Sequence, residues 1–119
     1  MKEFMLFIRS DEDNPLANFS LKEQQKHVEK VSAYIQELVK SGKMKSAQPL
    51  ESEGSVVSLK NGSLVDGPYN ETKEVISGYY HLMADDLQEA IRIAKADPRF
   101  EDGNWKIEVR QIMKVEGIN

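Results

Sequence analysis

The segment Val75-Ile76-Ser77-Gly78-Tyr79-Tyr80-His81-Leu82-Met83-Ala84 constrains the fold more than any other. At the strand period of two, Ile76, Gly78, Tyr80, Leu82 and Ala84 share one face, and Val75, Ser77, Tyr79, His81 and Met83 share the other. Both faces carry bulk, so this strand needs cover on both sides and belongs in the centre of a sheet. Phe4, Leu6 and Ile8 against Met5 and Phe7 make the same demand near the start of the chain. Gly78 admits another backbone or a ring at close range. The alternation leaves open which of Tyr79 and Tyr80 faces a helix-covered core.

Two helices flank these strands. Ser20-Leu21-Lys22-Glu23 fits a capping box, in which hydroxyl and carboxylate each accept an orphan N–H. Val28, Val31, Ile35 and Leu38 then recur at helical spacing, with Val39 widening the stripe. Gly42 suits the position after the helix, and Lys40 and Lys43 suit its negative end. Asp85 or Asp86 caps a second helix with Leu87, Ala90, Ile91 and Ala94 on one face, ended by Pro98. The spacing predicts helices near 20–41 and 86–96. Strands are expected near 3–9, 55–60, 63–66, 75–84 and 105–113, with a short edge strand over 44–50 where Pro49 removes a ladder donor. Asn61-Gly62 between apolar runs marks a hairpin, since both turn residues take positive φ. The order β-α-β-(hairpin)-β-α-β is an α+β, ferredoxin-like arrangement with one added hairpin, in a single domain over 1–119.

Two helices cover only one face of such a sheet. The other face would leave several hundred Å² of apolar surface in water, more than soluble monomers usually carry. A homodimer joined sheet face to sheet face removes it, each copy presenting the same patch.

Composition closes off several functions. The chain has no Cys, which excludes disulfides and thiolate chemistry and fits a reducing, cytoplasmic setting. No segment has the apolar length of a membrane span, and Arg9 with the acids after it ends the first apolar run too early for a signal peptide. A net charge of −4 argues against nucleic acid as the main partner. No metal-ligand cluster, Walker loop or dinucleotide fingerprint is present, so no metal or cofactor is expected. Asp11, Glu12 and Asp13 lack the spacing of a calcium loop and read as a solvated loop.

Ahead of the central strand runs Val65-Asp66-Gly67-Pro68-Tyr69-Asn70-Glu71-Thr72-Lys73-Glu74, and behind it Asp85-Asp86-Leu87. Together, "DGPYNETKEVISGYYHLMADDLQEAIRIAK" resembles the DGPF family within the YCII-related superfamily. The likeness lies in an Asp-Gly-Pro-aromatic turn, an acidic run, a Gly-Tyr-Tyr strand and an Asp-Asp-Leu helix start. The opening strand and Glu108-Val109-Arg110 fit as well, so it spans essentially the whole chain. The resemblance implies a dimeric α+β barrel of ferredoxin-like protomers. It also implies a link with small-substrate enzymes that carry a His–Asp pair, the His lying on the first helix. His27 is on the matching helix, about a turn N-terminal of the family position relative to the closing glycine.

The residues suited to chemistry are Asp66, His27 and His81 as catalytic candidates, with Gly67, Pro68, Tyr69, Glu71, Tyr79 and Tyr80 as ligand-binding candidates and Arg9 as an addition. Asp and His together can act as orienter and general base, and a tyrosine can donate to a developing oxyanion. Each has a plainer reading: Asp66 as a lock on the Asp-Gly-Pro turn, His27 as a half-buried edge residue, His81 as a surface strand residue. Two function classes follow. One is a small-molecule protein, a lyase, isomerase or hydrolase among the options, with a cleft near the Asp66-Gly67-Pro68-Tyr69 turn. The other, which the resemblance brings in, is a regulatory module contacting a sigma factor in transcription initiation. A buried pocket lined by Asp66 and tyrosines favours the first, a sealed core with an exposed apolar patch the second.

Overall fold

The doubly apolar strands lie side by side at the centre of a four-stranded antiparallel sheet. This computed structural model of the protein describes residues 1–11, 15–67 and 75–119. Its elements are β1 (Lys2–Ser10), α1 (Leu21–Lys40), β2 (Met44–Pro49), β3 (Val56–Lys60), β4 (Ser63–Gly67), β5 (Val75–Ala84), α2 (Leu87–Lys95), a 3₁₀ turn (Pro98–Asp102) and β6 (Trp105–Gln111). The sheet order is β2-β5-β1-β6, which puts the predicted edge strand at an edge and gives the ferredoxin-like order.

Register follows the apolar pattern. Leu6 pairs with Tyr80 and Phe4 with Leu82, so these side chains share the face beneath the helices. Phe4, Leu6, Ile8, Tyr80, Leu82 and Ala84 are buried there, together with Ala90 and Ala94 of α2. Tyr80 is therefore the core tyrosine, and Tyr79 pairs with Phe7 on the opposite face. A register shift between Ile8 and Arg9 reverses the expected alternation at the start of β5, so that Val75, paired with Ser10, is buried and Ile76, paired with Arg9, is exposed. At Gly78 a Cβ would meet the Gln48 carbonyl oxygen at 2.8 Å, so only glycine lets β2 pack this closely.

Both helix starts are as their sequences dictate. Ser20 Oγ accepts from the Glu23 N–H at 3.1 Å while Glu23 accepts from the Ser20 N–H at 3.0 Å. Of the two acids before α2, Asp86 is the cap, accepting from the Glu89 N–H at 2.8 Å. The inward face of α1 differs from the stripe expected. Val28 and Val39 are exposed, and the buried residue of the helix is His27, 5% exposed. Tyr34, Ile35 and Leu38 pack on the core beside it. The helix is rotated toward its aromatic and polar groups because those groups find partners inside: the Tyr34 hydroxyl donates to the Ile93 carbonyl. Pro98 does more than end α2, since with Asp97 as cap it opens the 3₁₀ turn.

The Asn61-Gly62 hairpin forms with φ of 52° and 80° at its two turn residues. Among the described residues its strands pair only with each other, a separate two-stranded sheet, and Val57, Leu59 and Leu64 on it are exposed. No helix among the described residues is long and apolar enough to cross a membrane.

Candidate functional site

Where α1 crosses the β2–β5 side of the sheet, the packing leaves a cavity of about 400 Å³. Its volume is within the range of small-molecule sites. Ile8, Val28, Val31, Ile35, Ala47 and Pro49 supply apolar wall, and Gly78 adds no side chain where the cavity meets β5. His27, Tyr80 and Arg99 bring the chemistry.

His27 reaches this place from the second turn of α1. Its Nδ1 lies 2.6 Å from Asp102 Oδ2, and its ring stacks on Trp105 at 5.9 Å between centroids and 17° between planes. Lys30, almost one turn further along α1, donates to the other oxygen of Asp102 at 3.0 Å. Burial raises the Asp102 pKa, but the hydrogen bonds from His27 and Lys30 and the Lys30 charge outweigh it and hold the carboxyl below its ordinary value. An ionised carboxylate only accepts, so Nδ1 of His27 carries a proton, and in the neutral form of the ring the lone pair is on Nε2. Nε2 has no hydrogen-bond partner among the described residues. Every buried side-chain nitrogen and oxygen there has one, which leaves Nε2 accessible. Such a ring can take a proton from, or return one to, a molecule held in the cavity.

The floor is a second polar group. The Tyr80 hydroxyl donates to Asp97 Oδ2 at 2.8 Å and accepts from Arg99 Nη2 at 2.9 Å. Arg99 Nε donates to the same Asp97 oxygen at 3.0 Å, and the Arg99 N–H to Oδ1 at 2.9 Å. Burial drives the Tyr80 pKa well above its ordinary value, so the phenol stays protonated.

The residues singled out in the sequence are thus dispersed. Among the described candidates, His27 and Tyr80 line the cavity, and Tyr79 borders it along β5 although it pairs with Phe7 on the opposite face. His81 lies on the helix-free face of the sheet, its Nε2 2.7 Å from Glu3 Oε1. Arg9 is on that face too, paired with Glu108 at 2.8 Å. Asp66 is exposed on β4 opposite Val57, and Gly67 ends that strand, its carbonyl accepting from Ser55 Oγ at 3.0 Å. Pro68, Tyr69 and Glu71 lie outside the described residues. The partner of His27 is Asp102, between the Pro98 that ends the second expected helix and the strand expected from residue 105. Asp97, Arg99, Asp102 and Trp105 were all missed. The one available signal was Asp97-Pro98, a cap followed by proline, which marks a helical start.

Fold and site together define a ferredoxin-like α+β protein with a cavity of about 400 Å³ beside a His–Asp pair. The chain belongs to the YCII-related domain family, whose model matches residues 3–116. Comparison with curated proteins gives no significant match. Among solved structures it is similar to 5-chloro-2-hydroxyhydroquinone dehydrochlorinase (TftG) from Burkholderia phenoliruptrix AC1100, in complex with 2,5-dihydroxybenzoquinone. The TM-score is 0.54 at 16% identity over 96% of each chain, a likeness of fold.

Proposed function

We propose that the protein binds a small organic molecule in the cavity beneath α1 and that His27, oriented by Asp102, exchanges a proton with it. The observation that carries this reading is the His27 ring itself: one nitrogen is anchored on a carboxylate, the other has no partner among the described residues, and the residue lines the cavity. Asp102 fixes the tautomer and balances the imidazolium formed when Nε2 takes a proton. Lys30 keeps Asp102 ionised and so keeps Nδ1 protonated. The apolar wall residues offer a surface for the body of the ligand. A fold neighbour named a dehydrochlorinase and solved with a small quinone supports a transformation rather than storage. The expected tyrosines border the cavity although Asp66 does not, and this supports the reading over a sigma-factor contact.

The test is deuterium incorporation into a panel of small carbon acids in D2O, followed by proton NMR. The wild type should exchange at least one of them. His27→Gln should slow that exchange by about 10²–10⁴-fold, and Asp102→Asn should also slow it, by leaving the ring in either tautomer. Equal exchange by wild type and His27→Gln, or no exchange with any of the panel, overturns the reading.

Two further readings belong to the same proposal. The chain is of the DGPF kind, on its Asp66-Gly67-Pro68-Tyr69 motif. It also pairs with a second copy through the helix-free face, where Met5, Phe7, Ile76, Tyr79 and Met83 lie among charged groups. Sedimentation equilibrium at micromolar concentration should give twice the chain mass of 13.5 kDa; a species at 13.5 kDa refutes the pairing.

A further inference from the structure

The floor of the cavity holds more positive charge than its own hydrogen bonds use. A guanidinium has five N–H donors. Arg99 places one on Asp97 through Nε and one on the Tyr80 hydroxyl through Nη2. Among the described residues Nη1 has no hydrogen-bond partner, and no buried side-chain nitrogen there is left without one. Nη1 is therefore accessible, on a residue that lines the cavity.

The two ion pairs around the cavity are arranged alike. Arg99 lines it and Asp97, with a wholly buried carboxylate, does not. His27 lines it and Asp102 does not. Among the described residues lining the cavity there is no carboxylate at all. Each acid stands behind its basic partner, holding it in place and keeping its own negative charge away from whatever enters. Asp97 shares that charge among three donors, the Tyr80 hydroxyl, the Arg99 N–H and Arg99 Nε. The guanidinium is also fixed in direction, 5.0 Å from the Trp105 ring centre and 5.8 Å from that of Tyr80. A clamped cation beside apolar walls is arranged for an anionic oxygen, since such an oxygen gains a charge-assisted hydrogen bond without reorganising the protein.

We infer that Arg99 is the anchor of the ligand's negative end, and that the cavity takes small organic monoanions with one oxyanion group and an apolar body. This deepens the proton-transfer reading of the same cavity and rests on it. The oxyanion sits at Arg99 Nη1 and the apolar body lies along Val28, Val31 and Ile35 of α1 and Ala47 of β2. Carboxylates and phenolates share the required chemistry.

The experiment is an NMR titration of isotope-labelled protein with benzoate and, separately, benzamide, its neutral counterpart of the same shape. The resonances read are the Trp105 indole N–H and the Arg99 Nε–H. Benzoate should shift both and bind at least about tenfold tighter than benzamide, a preference that weakens as salt is added. In Arg99→Gln the two ligands should bind alike. If that variant does not fold, the wild-type comparison still decides, because the Arg99 Nε–H shift reports the contact directly. A parallel pair, 4-nitrophenolate and 4-nitroanisole, tells whether phenolates are taken as well as carboxylates. Equal binding of benzoate and benzamide by the wild type, no shift at Arg99, or an anion preference that survives in folded Arg99→Gln each overturns the inference. The two readings fail separately. His27→Gln removes proton exchange but should leave the anion preference intact. Exchange of neutral compounds with no anion preference would sink the anchor alone.

Discussion

Replacing Tyr80 by phenylalanine removes one oxygen from the centre of the buried network and nothing else. Tyr80 is 3% exposed, and its hydroxyl serves two ionised partners, donating to Asp97 at 2.8 Å and accepting from Arg99 at 2.9 Å. A hydrogen bond to a charged group contributes about 1.5–3 kcal/mol, and a buried partner left unmatched adds a desolvation cost. Asp97 keeps its two bonds from Arg99, so the loss is not the full sum. Tyr80→Phe should therefore cost about 2–4 kcal/mol. At an unfolding entropy of about 2.1 cal/mol/K per residue, one kcal/mol moves the Tm of a chain this long by about 4 °C. The expected fall is then about 8–16 °C in a thermal melt followed by circular dichroism. Tyr79→Phe is the internal control. Its hydroxyl has no hydrogen bond among the described residues, and the change should stay within about 0.5 kcal/mol. Burial also raises the folded-state pKa of Tyr80 above its ordinary 10.0, so this contribution is complete below pH 10.0 and is lost as the pH climbs beyond it. The alkaline limb of the wild-type stability curve should be steeper than that of Tyr80→Phe. Equal melting of the two tyrosine variants, or a Tyr80→Phe loss below about 1 kcal/mol, would refute a structural network at the cavity floor.

Three other outcomes follow from the geometry. Ser20→Ala opens the capping box of α1 and should cost about 1 kcal/mol, read as a Tm fall of about 4 °C. Gly78→Ala sets a Cβ 2.8 Å from the Gln48 carbonyl oxygen and 3.3 Å from Pro49 Cα, both backbone, so β2 must shift; about 1–3 kcal/mol should be lost in urea titration. Glu3 titrates at about 2 rather than its ordinary 4.5, held down first by its hydrogen bond from Lys114 and next by that from His81. Its folded-state value is depressed, so its contribution is complete above pH 4.5 and fades as the pH falls toward about 2; Glu3→Gln should flatten the wild-type acid limb over that window.

Much of the architecture was legible because it rests on local rules. Alternating apolar residues on both faces forced β1 and β5 to the centre of the sheet, and they are paired there. Ser20 with Glu23, Asn61 with Gly62, and Pro49 at a strand end each act within a few residues, and each does what its chemistry dictates. His27 was visible as a candidate, since a histidine beside an apolar helix stripe is open to either role.

What only the tertiary structure decided is which groups meet. Asp102 lies 75 residues from His27, and nothing local distinguishes it from Glu101. The rotation of α1 that buries His27 in place of Val28 depends on partners supplied by the 3₁₀ turn and α2. Tyr79 and Tyr80 are equivalent under alternation; the helices covering one face of the sheet decide between them. Arg99 and Asp97 carried no signal of burial in the sequence because charged side chains near a proline usually are solvated. They are buried here because the Tyr80 hydroxyl and the Trp105 ring offer them a hydrogen-bonded, desolvated place. Pattern fixes an element and its faces within one span of chain, whereas a site is made where distant elements cross, and that depends on packing the whole core at once.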